Sequence, residues 1–124
     1  MNQDTIVRFS DDELGEFRHL IEDKIGKTQE EIASYRSQLE AMADSEELRI
    51  KGLDDGNGTV EAERLASMIA DKSKFLKHLE QALVRIQNKT YGICRATGQL
   101  INKERLRVVP HATLSLEAKM SGKK

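Results

Sequence analysis

The 124-residue chain has no tryptophan, one proline and one cysteine, and only 4% of its residues are aromatic. So few bulky side chains exclude a thick globular core. One Pro and eight Gly are too little punctuation for an all-β fold built on turns. A single Cys excludes an internal disulfide framework and, within one chain, an all-thiolate zinc site. No apolar run approaches the ~20 residues of a membrane-spanning helix. The start, Met1-Asn2-Gln3-Asp4-Thr5, has neither the basic residues nor the apolar stretch of a secretory leader, so a cytoplasmic protein is expected. The chain also lacks a base–nucleophile pair, a phosphate-cradling glycine loop and paired carboxylates on rigid walls, so no enzyme is expected.

What the chain has is charge. Asp, Glu, Lys and Arg make up 33% of it, and the abundance of Ala, Glu, Lys, Leu and Arg points to long helices that bury a narrow seam. The formal net charge of −1 hides an uneven distribution: residues 1–58 carry 15 acids against 7 bases, and residues 59–124 carry 6 against 13. Two antiparallel arms of opposite sign would attract each other. A basic half would also suit an acidic or polyanionic partner.

Ser10-Asp11-Asp12-Glu13 is a helix start, with Ser10 as cap, Glu13 three residues on, and acids in the positive first turn. Leu14, Phe17, Ile21, Ile25, Thr28, Ile32, Tyr35, Leu39 and Met42 then recur at spacings of mostly three or four, a heptad-like stripe ending near Glu47. The run from Lys51 to Gly58 holds three Gly, an Asn and two Asp, which reads as a turn or tip. Thr59 is the expected cap of a second helix, with the stripe Ala62, Leu65, Ile69, Leu76, Leu79, Leu83, Ile86 and one polar intrusion, Lys72. Met68, Phe75 and Ala82 widen that seam, and the helix is expected to stop at Lys89-Thr90-Tyr91-Gly92 with Gly92 in the left-handed cap.

The expected fold is therefore mainly α: a long antiparallel coiled-coil hairpin, about 50 Å from end to end, with a small zinc-finger-like C-terminal head that lacks its metal ligands. An N-terminal segment and the hairpin occupy 1–90, with helices about 11–47 and 59–89 and the tip at 48–58; the head spans 91–119, and 120–124 is a flexible tail. Two bare helices bury little, so the head must anchor the open end.

Cys94-Arg95-Ala96-Thr97-Gly98 has the shape of a zinc knuckle: a ligand pair two residues apart, then a Gly that lets backbone amides turn toward a metal. A second pair at matching spacing falls on Ser115 and Ala118. A structural zinc site needs four soft or imidazole ligands, and the neutral hydroxyls of Thr97 and Ser115 and the methyl of Ala118 do not replace them. Zinc is not expected. Ala118 and the Thr97 methyl are expected to fill the site, with the hydroxyls bonded to each other or to backbone.

Tyr91-Gly92-Ile93-Cys94, Gly98, Ile101, Glu104-Arg105-Leu106 and Val109-Pro110-His111-Ala112-Thr113-Leu114 resemble the C-terminal finger of the DnaK-suppressor protein/TraR (DksA/TraR) family. The order hairpin, tip, finger extends the resemblance over nearly the whole chain. It implies a bacterial transcription regulator that binds RNA polymerase and inserts its coiled coil through the secondary channel, so that an acidic tip approaches the active site, often together with guanosine tetraphosphate. Three departures stand against that pattern. The four-Cys finger is reduced to Cys94. Of the tip motif Asp-x-x-Asp-x-Ala, the second Asp falls on Asp54, but the first position is Lys51 and the Ala position Gly56. The Arg that precedes the finger's Pro in an alarmone site is Val109 here, though Lys119 keeps a matching base, which makes guanosine tetraphosphate doubtful.

Asp54 and Asp55 are the candidate partner-binding tip, against the ordinary reading that Asp-Gly and Asn-Gly favour tight bends. Arg95, Lys103, Arg105, Arg107 and Lys119 are a candidate docking surface on the head, against the reading of solvated charge. Cys94 is either a reactive thiol eased toward thiolate by Arg95 or a buried structural residue. His19 and His78 lie on the hairpin with no second ligand at i+4, and neither is given a role. The leading expectation is a monomeric RNA-polymerase-binding regulator. The alternative is a coiled-coil assembly module that keeps the fold without transcriptional activity. Sequence-specific DNA binding is not expected, because no helix combines a dense basic face with base-reading residues.

Overall fold

The computed structural model describes residues 8–44 and 57–120. Asp54 and Asp55, and with them most of the expected tip, lie outside the described residues. Among the described residues there are four helices: α1 (Asp11–Asp44), α2 (Asn57–Gln87), α3 (Lys103–Val108) and α4 (Leu116–Met120).

The start of α1 is the reciprocal cap its sequence calls for. Glu13 N donates to Ser10 Oγ at 3.1 Å, and Ser10 N donates to Glu13 Oε1 at 2.9 Å. Two of the amides that a helix start leaves without intrahelical partners are thereby satisfied. The α1 stripe faces inward throughout: Leu14, Phe17, Ile21, Thr28 and Ile32 are buried, and Ile25, Tyr35, Leu39 and Met42 are half-buried. In α2, Leu65, Leu79, Ala82 and Ile86 are buried, while Ala62, Met68, Ile69, Phe75, Leu76 and Leu83 are half-buried. Asp11 pairs with Lys89 at 2.7 Å and Glu31 with Lys72 at 2.9 Å, so the two helices run antiparallel. Each bridge joins an acid of the first half to a base of the second. Lys72, the polar intrusion in the stripe, reaches the edge of the seam and ends on Glu31, whose hydrogen bond raises its pKa.

Both ends of α2 differ from expectation. The helix already includes Asn57 and Gly58, so Thr59 lies inside it rather than capping it. First-turn amides need no partner four residues back, so Asn and Gly are tolerated there. At the other end the left-handed residue is Lys89, at φ +66°. Lys89 N donates to Ile86 O at 3.0 Å and Thr90 N to Arg85 O at 2.9 Å, the paired bonds of a Schellman ending. A non-glycine residue there costs ~1 kcal/mol, and the Lys89 ammonium is held meanwhile by the Asp11 carboxylate. Gly92, at φ +79°, serves another purpose. A Cβ at that position would collide with the Phe9 ring and sit 3.2 Å from Leu106 Cδ1.

The chain divides into two compact units. The first comprises the start of α1 through Ile25, the end of α2 from His78, and everything that follows. Its core is an aromatic series: Phe9 lies 5.6 Å from Phe17, and Phe17 lies 5.3 Å from Tyr91, centroid to centroid. Tyr91 is fully buried and its hydroxyl donates to Pro110 O at 2.8 Å. Burial in this apolar setting raises its pKa, because the phenolate would lose its water. Ile21, Leu79, Ile101, Leu106 and Pro110 complete the core, and a Glu13–Lys103 ion pair ties the start of α1 to α3. Asn102 caps α3 through Glu104 N at 2.7 Å. In the second unit, residues 26–77, the described residues form two helix segments, and the buried side chains among them are Thr28, Ile32 and Leu65.

Candidate functional site

The knuckle frame is built from backbone hydrogen bonds. Ile93 and Leu100 form an isolated antiparallel bridge. Cys94 N donates to Gln99 O and Gly98 N to Cys94 O, both at 2.7 Å, which closes a tight turn around Arg95-Ala96-Thr97. Gly98 takes φ +75°, where a side chain is disfavoured. Arg95 N then donates to Thr113 O at 2.9 Å, which holds the segment before α4 against that turn. Ser115 starts α4 as its cap, its hydroxyl accepting from Ala118 N at 3.1 Å.

These bonds bring together the four positions of the sequence frame. Ser115 N donates to Cys94 Sγ at 3.3 Å, and the Ser115 hydroxyl lies 3.7 Å from the same sulfur. The Thr97 hydroxyl and Ala96 N also bond the sulfur. Cys94 and Ala118 are buried, whereas Thr97 is exposed, so the Thr97 methyl does not fill the knuckle and its hydroxyl turns to the thiol instead. The Thr97 hydroxyl bond is the largest influence on Cys94. Burial opposes it, the Ser115 and Ala96 amides reinforce it, and the thiol is held down at about 6. Fixed donors, not the neighbouring Arg95, are the leading reason.

The head's bases divide by environment. Lys103 is engaged within the fold, paired with Glu13 and 6.0 Å over the Phe9 ring. Arg105 Nε donates to Leu114 O at 3.0 Å, so its fork is partly spent on bracing the segment before α4. Arg95, Arg107 and Lys119 are exposed, as is Lys103 beside its ion pair. A further basic group, Arg85, half-buried in α2, donates to His111 O at 3.4 Å. His78 stacks on His111, with centroids 5.4 Å apart and planes at 17°. That pair escaped sequence reasoning, because no local spacing relates a helix residue to a loop residue 33 positions on.

Residues 89–121 match the family model of the prokaryotic dksA/traR C4-type zinc finger. In the RNA polymerase-binding transcription factor DksA of Caulobacter vibrioides, 45 residues are 42% identical, covering 36% of this chain and 32% of that one. The head segment is thus similar to the finger of the DksA/TraR family. General stress protein 16O of Bacillus subtilis is 29% identical over 100 residues, 77% of this chain and 61% of its own length. The chain thus spans less than two thirds of these curated relatives. The structure of transcription factor DksA2 from Pseudomonas aeruginosa superimposes with a TM-score of 0.75 at 24% identity, over 88% of this chain and 81% of that one. The hairpin-and-head fold is shared.

A C4 finger implies zinc, and the knuckle tests whether these residues fit it. They offer one thiol, two hydroxyls and a methyl. Both hydroxyls already accept backbone N–H bonds, Thr97 from Gln99 at 3.2 Å and Ser115 from Ala118. Zinc requires four strong donors, and among the described residues no three His, Cys, Asp or Glu side chains converge on a metal position. The donor set does not fit the ion. What replaces it is a polar cluster centred on one sulfur, in a frame that the family elsewhere builds on four.

Proposed function

We propose that the chain is a transcription regulator that binds RNA polymerase through its head and hairpin, and that its tip enters the polymerase secondary channel. The observation that carries this reading is the preserved knuckle frame within the family-matched segment 89–121. A chain that needed only a coiled coil for assembly would have no use for a head with every turn in place. The relatives named for polymerase binding support the partner. Arg95, Arg107 and Lys119 are the exposed bases available for docking, and Lys103 and Arg105 contribute by bracing the head. The protein acts where the polymerase is, in the cytoplasm, as a monomer without sequence-specific DNA contacts. No helix among the described residues is long and apolar enough to cross a membrane.

The tip carboxylates Asp54 and Asp55 act on the polymerase rather than on the fold. The double change Asp54→Asn with Asp55→Asn should leave stability within about 1 kcal/mol, as for other surface changes. It should weaken the effect on transcription in a purified polymerase assay while binding persists. Full activity of the double variant would move the active element elsewhere on the hairpin. Failure of the parent chain to bind polymerase would favour the assembly module, a reading that Lys51, Gly56 and Val109 at the altered family positions support. The head holds together without zinc. Elemental analysis should find no stoichiometric metal, and a strong chelator should leave the melting curve unchanged. One zinc per chain would overturn that.

A further inference from the structure

We propose that the stacked His78–His111 pair is an acid-sensitive latch, which holds the segment between α3 and α4 against the C-terminal part of α2 at neutral pH and releases it in acid. The geometry is that of a closure. His111 follows the buried Pro110, whose carbonyl accepts the Tyr91 hydroxyl, and its own carbonyl accepts from Arg85 Nη2 at 3.4 Å. Its ring lies nearly parallel to that of His78, about two turns before Arg85 on α2. Two neutral imidazoles stack without penalty, whereas two imidazolium rings 5.4 Å apart repel.

The surroundings make the second proton more costly still. Basic groups from three helices act on His111: His78 and Arg85 from α2, Arg105 from α3 and Lys119 from α4. Arg105 is fixed in place by its bond to Leu114 O at 3.0 Å, so it cannot swing away when a charge appears beside it. Burial comes first and these bases follow in holding the His111 pKa below its ordinary value. The folded state therefore binds fewer protons than the unfolded chain as the pH falls through the histidine range. The latch contributes its full stability above pH 6.5, and loses it as the pH drops through the depressed folded value. His19, exposed on α1, has no part in it.

The test uses the full chain. Histidine ring resonances followed by NMR from pH 8 to 4.5 should show His111 titrating below the ordinary ~6.5. The melting temperature of the parent should fall between pH 7.5 and 5.5 by several degrees more than that of His111→Gln. His19→Gln should fall as the parent does. In His78→Gln the titration point of His111 should move up, because a like charge has gone. Should His111→Gln fail to fold at neutral pH, the titrations of the parent and His78→Gln decide alone. A His111 titrating at or above the ordinary value, or one indifferent to His78→Gln, overturns the latch. So does equal acid loss in the parent and His111→Gln, where the latter folds.

Discussion

Two units of one helical hairpin follow the same heptad rule and arrive at different degrees of burial. Among the described residues, the largest fully buried side chains are Tyr91, Ile21, Leu65, Leu79, Ile101, Leu106, Pro110 and Cys94. Only Leu65 belongs to the unit formed by residues 26–77. In that unit Tyr35, Leu39, Met42 and Ile69 stay half-buried although they sit on the stripe. Two helices alone leave the edges of their seam open to water; a seam closes only where a third element lies over it. In the other unit the head supplies that element, with Tyr91, Ile101, Leu106 and Pro110 packed beside Phe9, Phe17 and Ile21. Apolar periodicity therefore states where a side chain points, and the number of layers decides how much that orientation contributes.

The contrast breaks most decisively with one residue type in both units. Leu79→Ala, at a fully buried site, should cost about 2–5 kcal/mol by chemical denaturation. Leu39→Ala, at a half-buried one, should cost on the order of 1 kcal/mol. Equal losses would mean that the layers do not matter. Glycines sharpen the same contrast with opposite signs. Gly92→Ala must force a Cβ at φ +79° into the Phe9 ring and should cost about 1–3 kcal/mol. Gly26→Ala meets nothing within 4 Å on a helix surface and should gain about 0.5–1 kcal/mol. A stabilising Gly92→Ala would show that the Phe9 contact is expendable. The smallest effect belongs to Lys72→Ala, which breaks the solvent-accessible pair with Glu31; a loss of about 0.5 kcal/mol or less is expected from thermal melts at low salt. A loss of several kcal/mol there would show that the pair, rather than the thin seam, holds residues 26–77 together.

Much of this was legible before any coordinates. Ser10 and Glu13 announce the α1 cap, because a hydroxyl and a carboxylate three apart have few other local uses at a helix start. The two stripes announce the seam, because a 3.6-residue repeat puts their apolar residues on one side of each helix. That the frame of Cys94, Thr97, Ser115 and Ala118 offers one thiol where a C4 finger has four is also readable, since donor chemistry depends on residue type alone. The end of α2 was not readable in detail. Lys89 occupies the left-handed position while Gly92 lies three residues on, because Gly92 is needed where the Phe9 ring arrives. That ring comes from the far end of the chain.

The sequence by itself determined the helical periodicity, the opposed charges of the two halves and the absence of a zinc donor set, all of which follow from residue type and local spacing. Tertiary structure alone decided which stripe positions are sealed from water, which basic residues of the head are already bonded within it, and that His78 meets His111. Those are relations between segments many residues apart, and only the packing of the chain brings them within a few ångströms.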